Sequence, residues 1–232
     1  MKTAPATLPQ VMALLESRAN EGVRRLYAKQ GGAATQFGVS LGDLRGLARK
    51  LKRNHPLGLE LWATGNVDAQ ILATMVLDPA RLTQEEVERM AGAVTVTRLA
   101  DELVFNVVAH TPFADALRAR WVLSPDELLG RCGWNLLVAR VTSGQHDGLD
   151  LDALLRQLEG EMLGAPKRKQ EVMSRALVEI GVHRPERTAA CVDIGTRLGR
   201  FDTTPVPKGC VAPYAPEWIA AVLKRKAKQA RP

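Results

Sequence analysis

The feature that most constrains this chain is a train of short helical patterns arranged in pairs. Pro56 to Thr64 carries one pattern, broken at Gly65, and Val67 to Leu77 carries the next, stopped by Asp78-Pro79. Gln84–Ala93 with Arg98–His110, Phe113–Leu123 with Pro125–Thr142, and Leu151–Leu163 with Lys167–Gly181 continue the series. Pro185–Leu198 stands alone, and Glu217–Lys228 closes the chain after a Thr-, Pro- and Gly-rich stretch that ends at Pro216. Apolar residues recur at the three-to-four spacing of a buried helix face, and no segment sustains the alternation of a strand. Aromatics make up only 4% of the chain while apolar residues make up 46%, which favours helix packing over a sandwich or barrel. The fold class expected is therefore all-α.

The N-terminal part predicts three helices. Val11, Leu14 and Leu15 share one face, Val23, Leu26 and Tyr27 another, and Gly31-Gly32 ends the second helix. Ser40 is placed to cap a third helix, whose apolar residues are Leu41, Leu44, Leu47, Ala48 and Leu51. Arg45, Arg49, Lys50, Lys52 and Arg53 occupy its opposite face, a solvated surface or a set of phosphate contacts. Asp126-Glu127, after Ser124-Pro125, reads as charge at a helix start.

The second helices of the pairs resemble one another. With Gln70, Asp101, Arg131 and Glu171 taken as equivalent, the steps are 31, 30 and 40 residues (101 − 70, 131 − 101, 171 − 131). That is the period of a helical hairpin array of the HEAT-like kind. A single hairpin cannot bury its apolar face, whereas stacked hairpins make a continuous core and a solenoid whose inner helices line one surface. The expected organisation is one repeat domain over 1–232. It comprises N-terminal helices to about residue 54, stacked pairs over 55–200, and an irregular stretch plus a basic helix over 201–232.

The formal charge of +7 and isoelectric point near 9.6 favour an anionic partner such as nucleic acid or a membrane surface. No apolar run reaches the roughly 18 residues of a membrane span. Met1-Lys2-Thr3-Ala4-Pro5 lacks the apolar stretch of a signal peptide. Cys132, Cys191 and Cys210 are widely spaced and form neither a disulfide framework nor a zinc motif, so core thiols in a reducing cytoplasm are expected. Four scattered histidines, His110 and His146 among them, make no ligand constellation, and no metal or cofactor is expected. Trp62, Trp121 and Trp134 sit at apolar helical positions and are expected in the core.

From Tyr27 to about Gly181 the chain resembles the AlkD-type DNA alkylation repair glycosylases, built of HEAT-like repeats. The likeness rests on Tyr27, Gly31, Phe37-Gly38-Val39, Leu44-Arg45, Leu61-Trp62, Asp68-Ala69-Gln70-Ile71-Leu72-Ala73, Arg131 and Ala176-Leu177-Val178-Glu179-Ile180-Gly181, in that order. The resemblance implies an active site that pairs a catalytic aspartate, here Asp101, with an arginine, here Arg131. The family's central Trp-Asp-x-x-Asp motif begins here with Thr97 and Arg98, and its second DNA-facing tryptophan is replaced by Arg175. The chain is thus similar to a divergent branch that lacks both tryptophans.

The chemistry implied is hydrolysis of the N-glycosidic bond of N3- or N7-alkylated purines. The cationic base leaves readily, and positive charge develops on the deoxyribose. Asp101 would stabilise that charge and orient water, and Arg131 would hold Asp101 ionised or grip a phosphate. Thr97, Arg98, Arg45, Lys167, Arg168, Lys169 and Arg175 would contact double-stranded DNA, and the tail of Lys224, Arg225, Lys226, Lys228 and Arg231 would touch phosphate nonspecifically. A cytoplasmic monomer is expected. The alternatives are a non-catalytic protein that recognises bent or branched DNA through its backbone, a protein–protein scaffold, and a plain inter-repeat salt bridge between Asp101 and Arg131.

Overall fold

The computed structural model describes residues 6–29, 31, 35–145, 147–201 and 214–229. Met1–Pro5, Gly32, His146, residues 202–213 with Cys210, and Arg231 lie outside the described residues. Among those described there are helices and turns and no strand. The α-helices are α1 (Leu8–Glu16), α2 (Glu21–Lys29), α3 (Leu41–Leu51), α4 (His55–Ala63), α5 (Val67–Val76), α6 (Gln84–Gly92) and α7 (Thr97–Asn106). They continue with α8 (Ala114–Trp121), α9 (Glu127–Thr142), α10 (Leu151–Glu161), α11 (Lys167–His183), α12 (Thr188–Leu198) and α13 (Ala215–Gln229). The expected pairs are α4 with α5, α6 with α7, α8 with α9, and α10 with α11.

The caps explain most boundaries. Ser40 accepts from the Asp43 amide at 3.1 Å, as its position predicted. Asp126 accepts from Leu129 at 2.7 Å, so it lies just before α9 as its cap. Three expected helices close or open as separate 3₁₀ turns: Val108–His110, Met162–Gly164 and Pro185–Arg187. Apolar spacing alone does not distinguish a tightened terminal turn from a continuing α-helix.

The chain forms two compact units, Met1–Leu117 and Arg118–Pro232. In the first, α5 is the central helix. Nine of its ten residues are buried, and it packs against α3, α4 and α7. In the second, α11 holds that place and packs against α9, α10, α12 and α13. Trp134 and Trp121 are buried as expected, at 0% and 4% exposure, while Trp62 is half-buried. Cys132 and Cys191 are buried free thiols, and burial pushes the Cys191 thiol up to about 12. Leu14 and Leu26, expected inward, are exposed: the cores under α1 and α2 take Val11, Leu15 and Tyr27 instead.

Gly133 is the most closely approached of the described glycines in the second unit. A Cβ there would fall 2.4 Å from the Val122 amide nitrogen and 2.5 Å from the Trp121 carbonyl carbon, so only glycine lets α9 pass the end of α8.

One polar contact recurs in both units. Gln70 on α5 donates its side-chain amide to the carbonyl of Trp62 at 3.3 Å. Gln170 on α11 donates in the same way to Met162 at 2.9 Å. Each glutamine reaches eight residues back to the end of the preceding helix. The structurally equivalent residue of Gln70 is therefore Gln170, and the expected alignment with Glu171 is off by one position.

The N-terminal helices are tied to α5 through Asp68. Its carboxylate is fully buried and accepts from the backbone amides of Phe37 at 2.6 Å, Gly38 at 2.9 Å and Val39 at 2.9 Å. Gly38 has φ near +80°, and a Cβ on it would meet Arg24 and the Asn20 carbonyl within 2.5 Å. Tyr27 packs beside this knot, with its hydroxyl 3.5 Å from the Val39 carbonyl.

Removing the carboxylate strands three buried donors, so Asp68→Ala should lower stability by about 3 kcal/mol in urea denaturation. Burial, and next the negative charge of Asp68, raise the Tyr27 phenol from 10 to about 12. The neutral phenol is favoured in the folded state. Its contribution is full below pH 10 and is lost as the pH rises from 10 toward 12, by up to about 2–3 kcal/mol. Phenolate absorbance should show Tyr27 ionising near pH 12, and alkaline unfolding should begin above pH 10.

Candidate nucleic-acid interface

Each unit gathers part of the expected site. In the first unit, α7 carries Thr97, Arg98 and Asp101. Thr97 is the first helical residue and is buried, whereas Asp101 is half-buried one turn on. The residue that organises this face is Glu102. It is 8% exposed and accepts from the Asn106 amide at 3.0 Å, which also donates to Thr74 on α5 at 3.0 Å. Arg45 from α3 and Arg98 from α7 each stand 3.9 Å from the Glu102 carboxylate.

Those two ion pairs are long. The side chains of Arg45 and Arg98 keep 58% and 39% of their surface in solvent, so the attraction is heavily screened. A guanidinium has five donors, and neither arginine makes a closer contact with Glu102. Both lie near one buried carboxylate, and most of their donors remain available to an outside anion.

In the second unit, α9 and α11 meet through Arg131. The guanidinium is 10% exposed and donates to the Arg168 carbonyl at 2.6 Å and to the Glu171 carboxylate at 3.1 Å. Glu127, at the head of α9, accepts from the Arg168 amide at 2.9 Å and stands 3.8 Å from its guanidinium. Lys169 is 7% exposed. Its ammonium donates to the Ser124 carbonyl at 3.1 Å and lies 4.0 Å from Glu161. The basic run 167–169 is thus not one patch. Successive residues point about 100° apart around the helix: Lys167 is exposed, Arg168 is half-buried and Lys169 is taken up by packing.

Arg175 lies two turns further along α11. Its side chain is 47% exposed and 3.8 Å from Glu179, which in turn is 3.4 Å from His183. The expected residues therefore divide into two kinds. Arg45, Arg98, Lys167 and Arg175 present charge outward, whereas Arg131 and Lys169 are buried and hold α11 to its neighbours. Asp101 belongs to the first unit and Arg131 to the second.

The sequence reading missed Glu102 and the partnership of Arg131 with Glu171. A signal for the first existed, since Arg98 and Glu102 stand four apart on one helix. Among the described residues no group of three or more His, Cys, Asp or Glu is placed to hold a metal ion, and no helix is long and apolar enough to cross a membrane.

A protein-family model described as "DNA alkylation repair enzyme" matches residues 11–219. The chain belongs to this DNA alkylation repair family. Among family relatives, the uncharacterised protein Lin0241 of Listeria innocua is 21% identical over 94% of this chain and 98% of its own length. The uncharacterised protein Lmo0209 of Listeria monocytogenes is 20% identical with the same coverage. One solved structure superposes with a TM-score of 0.84 at 23% identity, covering 95% of both chains. It is described as one of a new family of proteins related to the HEAT-like repeat DNA glycosylases with affinity for branched DNA structures. This likeness establishes the HEAT-like repeat fold for the alkylation-repair chain described here.

The burial of Arg131 sets its expected effect on stability. Arg131→Ala leaves the Glu171 carboxylate and the Arg168 carbonyl without their shared donor. It should cost about 2–3 kcal/mol in urea denaturation, whether or not DNA binding changes.

Proposed function

We propose that this protein binds branched or sharply bent DNA through its phosphate backbone. The observation that carries this reading is Arg175, a 47% exposed cation at the position where the resemblance expects a DNA-facing tryptophan. A guanidinium repels a cationic alkylated purine but forms charge-assisted hydrogen bonds with phosphate oxygens. Arg45, Arg98 and Lys167 supply further outward charge, and the net charge of +7 agrees in sign. Contacts of this kind read the shape of DNA rather than its base sequence. The similar protein with affinity for branched DNA structures supports the same substrate class.

A second reading is excision of N3- or N7-alkylated purines. It is favoured by Asp101, a half-buried carboxylate on α7 that the resemblance matches to the family's catalytic aspartate. In that reading Asp101 stabilises the sugar cation and Arg131 supports it.

The test compares a four-way junction with a linear duplex of equal length over a salt series. Tighter binding of the junction is expected, with affinity that falls steeply with salt. Lys167→Ala with Arg175→Ala should weaken binding about tenfold and flatten the salt slope by about 1–2. Asp101→Asn should bind like the wild type. Equal affinity for both DNAs, or affinity indifferent to salt, would overturn the backbone reading. Release of 7-methylguanine by the wild type but not by Asp101→Asn would transfer the assignment to excision.

A further inference from the structure

The helix α3 contains two glycines, Gly42 and Gly46, within eleven residues. Glycine weakens a helix interior, and here no neighbour requires it. A Cβ on Gly42 would meet the Ser40 hydroxyl at 3.7 Å, and one on Gly46 would meet the Arg49 guanidinium at 3.9 Å. Both are ordinary contacts. What the missing side chains leave is a cleft of about 450 Å³ in the first unit, floored by the buried Leu47.

Three cations line it: Arg18, Arg49 and Lys50. Arg18 is fixed at the end of α1, where its guanidinium donates to the Leu14 carbonyl at 2.7 Å. Arg49 and Lys50 are exposed in the last turn of α3. Among the described residues, none of the three has a carboxylate partner. Among the described residues, four of the seven other arginines of the first unit do have one: Arg24, Arg45, Arg53 and Arg98. The carboxylate in the lining, Asp43, accepts from the Ser40 hydroxyl at 2.6 Å. Three positive charges against one negative leave the cleft cationic, with one guanidinium from the turn after α1 and another from α3 lining the same space.

We propose that this cleft binds a phosphate group. Guanidinium pairs suit tetrahedral oxyanions because each presents a fork of donors, and the lysine adds a point charge. The absent Cβ atoms allow the phosphate oxygens to approach the α3 backbone. Two sources carry this chemistry: a phosphodiester of a nucleic-acid backbone and a free phosphate. The first source rests on the DNA-binding reading above, and the second does not.

The experiment follows the Gly42 and Gly46 backbone amide resonances of the full chain. Inorganic phosphate is titrated against chloride at constant ionic strength, and four-way junction DNA is titrated separately. Saturable shifts of both amides are expected with at least one of the two. The affinity they report should weaken at least tenfold in R49Q/K50Q, and, read at the Gly42 amide, in Gly46→Leu, which fills the cleft and leaves the cations in place. Thermal midpoints of the variants control for folding. Shifts with junction DNA, together with weaker DNA binding by R49Q/K50Q, assign the site to a nucleic-acid backbone. Shifts with phosphate and unchanged DNA binding by that variant assign it to a free phosphate. Shifts with phosphate in a chain that binds no DNA would keep the cleft and remove the DNA reading. Junction binding with no amide shift from either titrant would keep the DNA reading and overturn the cleft. So would shifts that persist unchanged in Gly46→Leu.

Discussion

A carboxylate leaves water only if donors replace the water it loses, and Asp68 meets that condition with three consecutive backbone amides. The arrangement demands a chain that turns its amides inward over Phe37-Gly38-Val39, which is why Gly38 takes a positive φ. It also demands that α5 begin where it does, since Asp68 sits in its first turn behind the Asn66 cap. Once α5 is anchored, α3 and α7 pack on it and bring Arg45 and Arg98 within 3.9 Å of the same Glu102 oxygen. The outward charge of the first unit thus follows from a buried negative group some distance from it in sequence.

The second unit reaches a similar end by another route. There the buried ion is a cation, Arg131, and its donors hold α9 against α11. Arginines of the two units look alike in sequence, but distance and burial separate their roles. Contacts of 2.6–3.1 Å with 10% exposure fix a helix, while the 3.9 Å contacts of Arg45 and Arg98 leave much of each side chain in solvent.

The helices were legible because each needs only a run of apolar residues and a Pro, Gly or capping side chain to end it. The phase between repeats was less so. One polar residue per helix defines a register only to within a position, and the bond from Gln170 to the Met162 carbonyl decides between Gln170 and Glu171. The outward cations were legible as residue types, but the sink of Lys169 into the core was not. A lysine in a basic run looks solvated until its neighbour Gly130 is seen to admit its aliphatic stem. Glu102 was hidden for the converse reason: beside Asp101 it reads as one of two surface acids, and only its bond to Asn106 marks it as buried structure.

The paired glutamine contacts bear on how such chains can change length. In both units the donor and acceptor stand eight residues apart and span the turn between two helices. An insertion or deletion inside that interval would pull the amide away from its carbonyl and leave two polar groups unmatched in a tight corner. Relatives should therefore keep this interval constant and absorb their gains and losses of sequence between one hairpin and the next. Such a ruler would let an array drift in its connections while each building block stays the same size.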